Sequence, residues 1–232
     1  MDYGGYEYGF AQAVRLAHSL GEDSFAAAEL GVATGNGLAV LERLAAAQDI
    51  EIPVTGFDTG TGLPGPAGYR DLPYLWRGGD FAMDEAALRE STTAELVLGD
   101  IGATAPGWLA RPGVPIGFLA FDLDYYSSTS RALGGLLTGP PGRYLPRVWC
   151  YFDDTVGSDE ELHSGHTGVL AAIAGFNAAH TDRKLAQPNG LRWKLGGTPA
   201  AWVEGMYVLH LFTHPRYGEY LDDGRDRLVR RP

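Results

Sequence analysis

The feature that most constrains this chain is a repeated alternation. Short apolar runs of strand length fall at residues 24–32, 52–57, 94–98, 116–121 and 148–152. Each is too short for a buried helix and is rich in Ala, Val, Leu, Ile or Phe. Helical periods lie around and between them. In residues 9–20, Phe10, Val14, Ala17 and Leu20 recur at three- and four-residue steps, and in 38–47, Leu38, Leu41, Leu44 and Ala45 share one face. Further helices are expected at 84–89, 127–137 and 168–180, with Ser127 or Ser128 as N-cap of the fourth. Strands that alternate with helices require right-handed crossovers and a mostly parallel sheet with helices on both faces. Two late runs, 192–195 and 206–212, follow each other closely and predict an antiparallel edge. The expectation is a doubly wound α/β fold with a seven-stranded sheet.

A chain of 232 residues can bury one full core, and neither an internal repeat nor a second domain is visible. We expect a single domain over 1–232. Residues 1–23 form an N-terminal helix or short lid, 24–157 carry the motifs, and 158–232 hold a C-terminal helix and the closing strand pair. The net charge of −11 argues against nucleic acid or an anionic membrane as partner, because phosphate demands Lys and Arg. It suits a protein that binds a cation. No run approaches ~18 apolar residues, and the start MDYGGYEYGF lacks the basic and apolar regions of a signal peptide, so a cytoplasmic protein is expected. The one cysteine, Cys150, lies in an apolar run and reads as a core residue.

The ends of the strands carry the chemistry. The first runs into Glu29-Leu-Gly-Val-Ala-Thr-Gly-Asn-Gly37, with Gly31, Gly35 and Gly37 ahead of a helix. Glycines there permit a sharp turn and close approach of a ligand, although a tight strand-to-helix turn needs no ligand. The spacing is neither G-x-G-x-x-G nor a P-loop. Asp58 closes the second strand, where an acid can accept hydrogen bonds from ribose hydroxyls or cap a turn. Asp100 ends the third, Asp122 and Asp124 the fourth, and Asp153 and Asp154 the fifth. Ligands of open α/β sheets bind outside these carboxyl ends, and capping rarely needs so many acids on one rim.

Together E-L-G-V-A-T-G-N-G, G-F-D-T-G-T-G-L-P, D-L-D-Y-Y-S-S-T and Y-F-D-D resemble class I methyltransferases, nearest to the macrocin O-methyltransferase type that modifies sugars and natural products. The resemblance covers roughly residues 24–157. It implies a Rossmann-like methyltransferase fold with S-adenosylmethionine held by Glu29, Gly31, Gly35 and Gly37, its ribose by Asp58, and Asp100 near the adenine. The chain departs from that type in its short N-terminal segment and in the glycine-free Ala33-Thr34 step.

Neighbouring strands lie ~5 Å apart, so acids ending the fourth and fifth strands would crowd and raise each other's pKa values. A divalent cation relieves this. All-oxygen ligands suit Mg²⁺ first, or Mn²⁺ or Ca²⁺, rather than zinc. The cation would also lower the pKa of a coordinated hydroxyl and position it for methyl transfer. By resemblance, Asp122, Asp153 and Asp154 match the metal ligands and Asp124 the general base. The competing reading gives Asp124 a part in organising the following helix start. His163 and His166 lie in the loop after the acid pair, and His166 is the second catalytic candidate. Tyr125 and Tyr126 either line the acceptor pocket or pack beneath the sheet. Tyr69 and Trp76, in the Gly/Pro-rich loop 58–80, either cover the acceptor or pack within the loop. Arg70 and Asp71 are expected to pair. His210 reads as a strand residue without a catalytic part. The expected partner is a small hydroxylated acceptor, and relatives of this fold often associate, with a homodimer as one such assembly. An oxidoreductase or a non-catalytic binding protein on the same sheet is the alternative; it leaves Asp124, Asp153 and Asp154 idle.

Overall fold

The computed structural model describes residues 3–194 and 200–221. The elements run α1 (Gly4–Leu20), β1 (Ala26–Leu30), α2 (Asn36–Ala46), β2 (Val54–Asp58), α3 (Glu85–Ser91), β3 (Glu95–Leu98), α4 (Ile101–Ala110), β4 (Ile116–Phe121), α5 (Tyr126–Leu136), β5 (Tyr144–Phe152), α6 (Gly168–Ala179), β6 (Arg183–Ala186), α7 (Leu191–Lys194) and β7 (Met206–Leu211). Seven strands form one sheet in the order β3-β2-β1-β4-β5-β7-β6. The first five pair parallel, and β7 runs antiparallel to both β5 and the edge strand β6. The expected doubly wound sheet with an antiparallel edge is therefore present.

The centre of the sheet is apolar on both faces. Every residue of β4 is buried. Its Phe118 and Ala120 face a core shared with Tyr6, Phe10 and Leu20 of α1 and Leu41 of α2. Leu119 and Phe121 face the opposite core, filled by Leu133 and Leu136 of α5 and Ile173 and Phe176 of α6. Ile116 joins that second core out of phase, because the register shifts between Ile116 and Phe118. Burial on both faces explains why these strands read as continuous apolar runs rather than alternating ones. No helix among the described residues is long and apolar enough to cross a membrane.

Several expectations need correction. The sixth strand is not 192–195: Leu191–Lys194 is a helical turn entered through Gly190 at φ +77°, and Leu195 lies outside the described residues. The strand is Arg183–Ala186, clamped where the Asn177 side chain bonds both the N–H and the carbonyl of Leu185. Helix α1 begins at Gly4, five residues before the expected start. Its glycines are contact points, since a Cβ at Gly5 would enter the Tyr151 ring and one at Gly9 the Phe118 ring. Helix α4 went unread because Gly102, Pro106 and Gly107 interrupt its propensity. Neither Ser127 nor Ser128 caps α5: Tyr125 holds the N-cap position without a side-chain cap bond. Instead, buried Asp71 reaches in from the long loop and accepts from both the N–H and the Oγ of Ser127. Arg70 does not pair with Asp71; it stacks over the Tyr126 ring, 4.6 Å from its centroid, and donates to the Tyr126 hydroxyl.

Candidate functional site

The carboxyl ends of β1, β2, β4 and β5 surround a cavity of about 480 Å³. Its floor is the β1–α2 turn. Gly31 has φ +87°, and a Cβ there would overlap the Asp122 carbonyl oxygen at the end of β4. Gly35 adopts the left-handed N-cap conformation of α2, and a Cβ at Gly37 would overlap Glu29 Oε1. The two outer glycines thus bring β1 against β4 and clear room for a buried acid.

Glu29 is only 2 % exposed. Its Oε1 accepts from the Tyr6 hydroxyl at 2.8 Å, while Oε2 is buried with no partner. Burial raises its pKa to about 8, against the opposing pull of the Tyr6 bond. Asp58 works first as a loop organiser: Oδ2 accepts from the N–H groups of Val32 and Ala33 at 2.8 and 3.1 Å, and Oδ1 from Gly60 at 2.7 Å. It nevertheless lines the cavity. Asp100 does not. It caps α4 by accepting from the Gly102 N–H, pairs with Arg131, and faces a smaller neighbouring cavity that Asp58 also borders.

The acids of β4 and β5 converge. One carboxylate oxygen each from Asp122, Asp153 and Asp154 lies within 4.8 Å of the others. Strands β4 and β5 pair through Phe121 and Phe152, so the residues that follow must emerge side by side. Asp124 has φ +55° and donates its N–H to Asp154 Oδ2 at 2.8 Å. Burial, with the charge of Asp153 next, raises Asp122 to about 8 and Asp124 to about 7. Asp154 is pushed up by burial, then by Asp124 and Asp122. Three carboxyls held so close among other acids form a donor set of hard oxygens, which fits a divalent cation.

His166 is exposed, lies outside the cavity lining, and bonds Ser164 Oγ through its backbone N–H. His163 turns inward instead, with Nε2 3.4 Å from Glu161 Oε2, and Glu161 borders the cavity. Tyr125 is fully buried, whereas Trp76 reaches the cavity wall and Tyr69 stays exposed. His210 bonds the Tyr217 hydroxyl, away from the cavity. Sequence reading missed Tyr3 at the N-cap of α1, Tyr6 on α1 and Tyr151 on β5. The first two line the cavity, and the third donates to Asp153 Oδ1 at 2.7 Å. For Tyr6 the signal was the helical period of α1, which runs back to Gly4 once the glycines are read as contact points; Tyr151 carried none.

No protein-family model matches the chain, and no curated protein matches it by sequence. Solved structures do. The calicheamicin methyltransferase CalS11 aligns with a TM-score of 0.54 at 23 % identity, over 86 % of this chain and 77 % of that one. The O-methyltransferase NovP aligns with a TM-score of 0.55 at 16 % identity, over 87 % and 78 %. Strand order, the antiparallel β7, the glycine turn after β1 and these likenesses agree: the chain has the class I methyltransferase fold.

Proposed function

We propose that this protein is an S-adenosylmethionine-dependent O-methyltransferase that uses a divalent cation and acts on a hydroxyl of a small molecule. The observation that carries the proposal is the meeting of two acid sets in one cavity: Glu29 with a buried open oxygen beside the glycine turn, and the Asp122–Asp153–Asp154 trio. Both fit the groups assigned to them. An orphaned carboxylate oxygen suits a cationic ammonium, and the trio suits Mg²⁺. When bound, the cofactor supplies a sulfonium methyl group and the cation supplies Lewis acidity to the acceptor oxygen.

The chain's own residues supply the rest. Glu29 and the Gly31–Gly37 turn hold the cofactor's amino-acid end, and Asp58 shapes the loop that receives its ribose. Asp122, Asp153 and Asp154 hold the cation. Asp124 borders the cavity with its pKa raised to about 7 and would take the proton of the acceptor hydroxyl. A cation held by its neighbours would lower that pKa and keep Asp124 ionised. Trp76 and Phe81, with rings 5.5 Å apart, give the cavity an aromatic wall. The likeness to CalS11, a calicheamicin methyltransferase, supports an acceptor of the natural-product kind. No catalytic role is assigned to His166.

Calorimetric titration with S-adenosylmethionine, with and without Mg²⁺, tests the reading. We expect saturable cofactor binding, and Mg²⁺ binding that Asp122→Ala removes. A wild-type protein that binds no cofactor at millimolar concentration would overturn it.

A further inference from the structure

Two buried tyrosines stand behind the two acid sets in matching fashion. Tyr6, on α1, donates to Glu29 Oε1 at 2.8 Å and leaves Oε2 open. Tyr151, on β5, donates to Asp153 Oδ1 at 2.7 Å. Their rings touch, with centroids 5.5 Å apart and planes at 60°. Both side chains are almost fully buried. Neither ring has room to move alone. Gly5 presses on the Tyr151 ring so closely that any Cβ would overlap it, and Gly205 approaches the same ring edge. Tyr6 also packs against Tyr3 and Phe118 at centroid distances of 5.4 and 6.3 Å. Glu29 lies on β1 and Asp153 follows β5, with β4 between them, so the tyrosine pair spans beneath the strand that carries Asp122.

We infer that Tyr6 and Tyr151 are positioning residues that couple the two halves of the site, so that occupation of one acid set pre-orients the other. The inference rests on the proposed cofactor and cation assignment. Each hydroxyl holds one oxygen of its carboxylate and so fixes the orientation of the group. A hydroxyl that hydrogen-bonds a metal-binding carboxylate orients it and contributes to metal affinity. Because the rings are jammed together in a close-packed core, fixing Asp153 on a cation also restrains Tyr151, and with it Tyr6 and Glu29. An arrangement of the carboxylates set by the first ligand need not be set again by the second, which makes the coupling positive. The coupling must also be reciprocal: cofactor must tighten cation binding by the same factor.

The test is a set of titrations on the wild type, Tyr6→Phe, Tyr151→Phe and the double variant. Calorimetry reads S-adenosylmethionine, and electron paramagnetic resonance reads Mn²⁺. Phenylalanine keeps the ring packing, and thermal melting checks the fold of each variant. In the wild type, we expect saturating cation to tighten cofactor binding about 5-fold or more. Tyr151→Phe should weaken Mn²⁺ binding ~10–100-fold while leaving metal-free cofactor binding near the wild-type value. Tyr6→Phe should weaken the cofactor and spare Mn²⁺ measured alone. In both variants the mutual tightening should largely disappear. A wild type that binds both ligands independently would overturn the inference alone, as would tightening that survives in both phenylalanine variants. A wild type that binds neither ligand would overturn the proposed function as well.

Discussion

Asp124 shows how a single residue can be shaped by a site. Left-handed backbone costs an L-residue about 1–2 kcal/mol, least for Asn and Asp. At φ +55° Asp124 accepts that cost, and its N–H meets Asp154 in return. Gly37 is the complementary case, a residue defined by what it lacks. In a helix, alanine in place of glycine ordinarily stabilises by ~1 kcal/mol. Here the new Cβ would overlap Glu29 Oε1, which is pinned by Tyr6 and cannot swing into solvent. Overpacking of that kind costs about 1–3 kcal/mol, so the clash wins. Gly37→Ala is expected to lower the melting temperature and weaken cofactor binding, read by thermal melting and calorimetry. A stabilised variant would show that Glu29 is free to move.

At the scale of elements, the long loop after β2 is anchored by one buried acid. Asp71 accepts from the Ala67 N–H, the Ser127 N–H and the Ser127 hydroxyl, tying the loop to the start of α5. Removing a buried hydrogen-bonded carboxylate leaves its donors without partners. Hydrogen bonds to a charged group are worth ~1.5–3 kcal/mol each, though not additively, so Asp71→Ala is expected to destabilise by about 2–4 kcal/mol. Limited proteolysis should then cut first within residues 59–80, and chemical denaturation should report the loss. The same element shows where sequence reading stopped. Arg70 and Asp71 are neighbours in the chain, and charge alone suggests that they pair. Helix α5 has two serines at its start, and propensity alone suggests that one caps it. Asp71 contradicts both, because a side chain 56 residues away takes the cap's place.

At the scale of the whole molecule, the acids at the site should set the pH dependence of stability. Glu29 and Asp122 are raised from 4.5 and 3.8 to about 8, and Asp124 from 3.8 to about 7. Between their unfolded and folded pKa values, the folded protein binds more protons than the unfolded chain. Their contribution is therefore fully present below about pH 4 and lost as pH rises through about 7–8. Glu42 and Glu95 act in the opposite sense, because hydrogen bonds from Thr93 and Arg111 hold their pKa values down and that stability is lost in acid. Without divalent cation, the melting temperature should fall between about pH 5 and pH 8.5. Saturating Mg²⁺ at the alkaline end should restore it, since a ligand of the folded state alone stabilises that state. Equal melting temperatures across that range would mean that the acids ionise without cost.

The alternation of strands and helices, the parallel sheet and the acidic rim are all legible in the amino-acid sequence. These are local or periodic properties: apolar runs of strand length, helical spacing, and acids at the ends of runs that topology must bring to one edge. Only the tertiary structure decided which acids meet. Asp122, Asp153 and Asp154 converge because β4 and β5 pair in register, whereas Asp100 turns to α4 and Arg131, and His166 remains outside the cavity. It also brought Tyr6 and Tyr151 together from positions 145 residues apart. A ring contact between side chains so distant in the chain leaves no period or spacing to read, because it exists only once the core that holds both rings has closed.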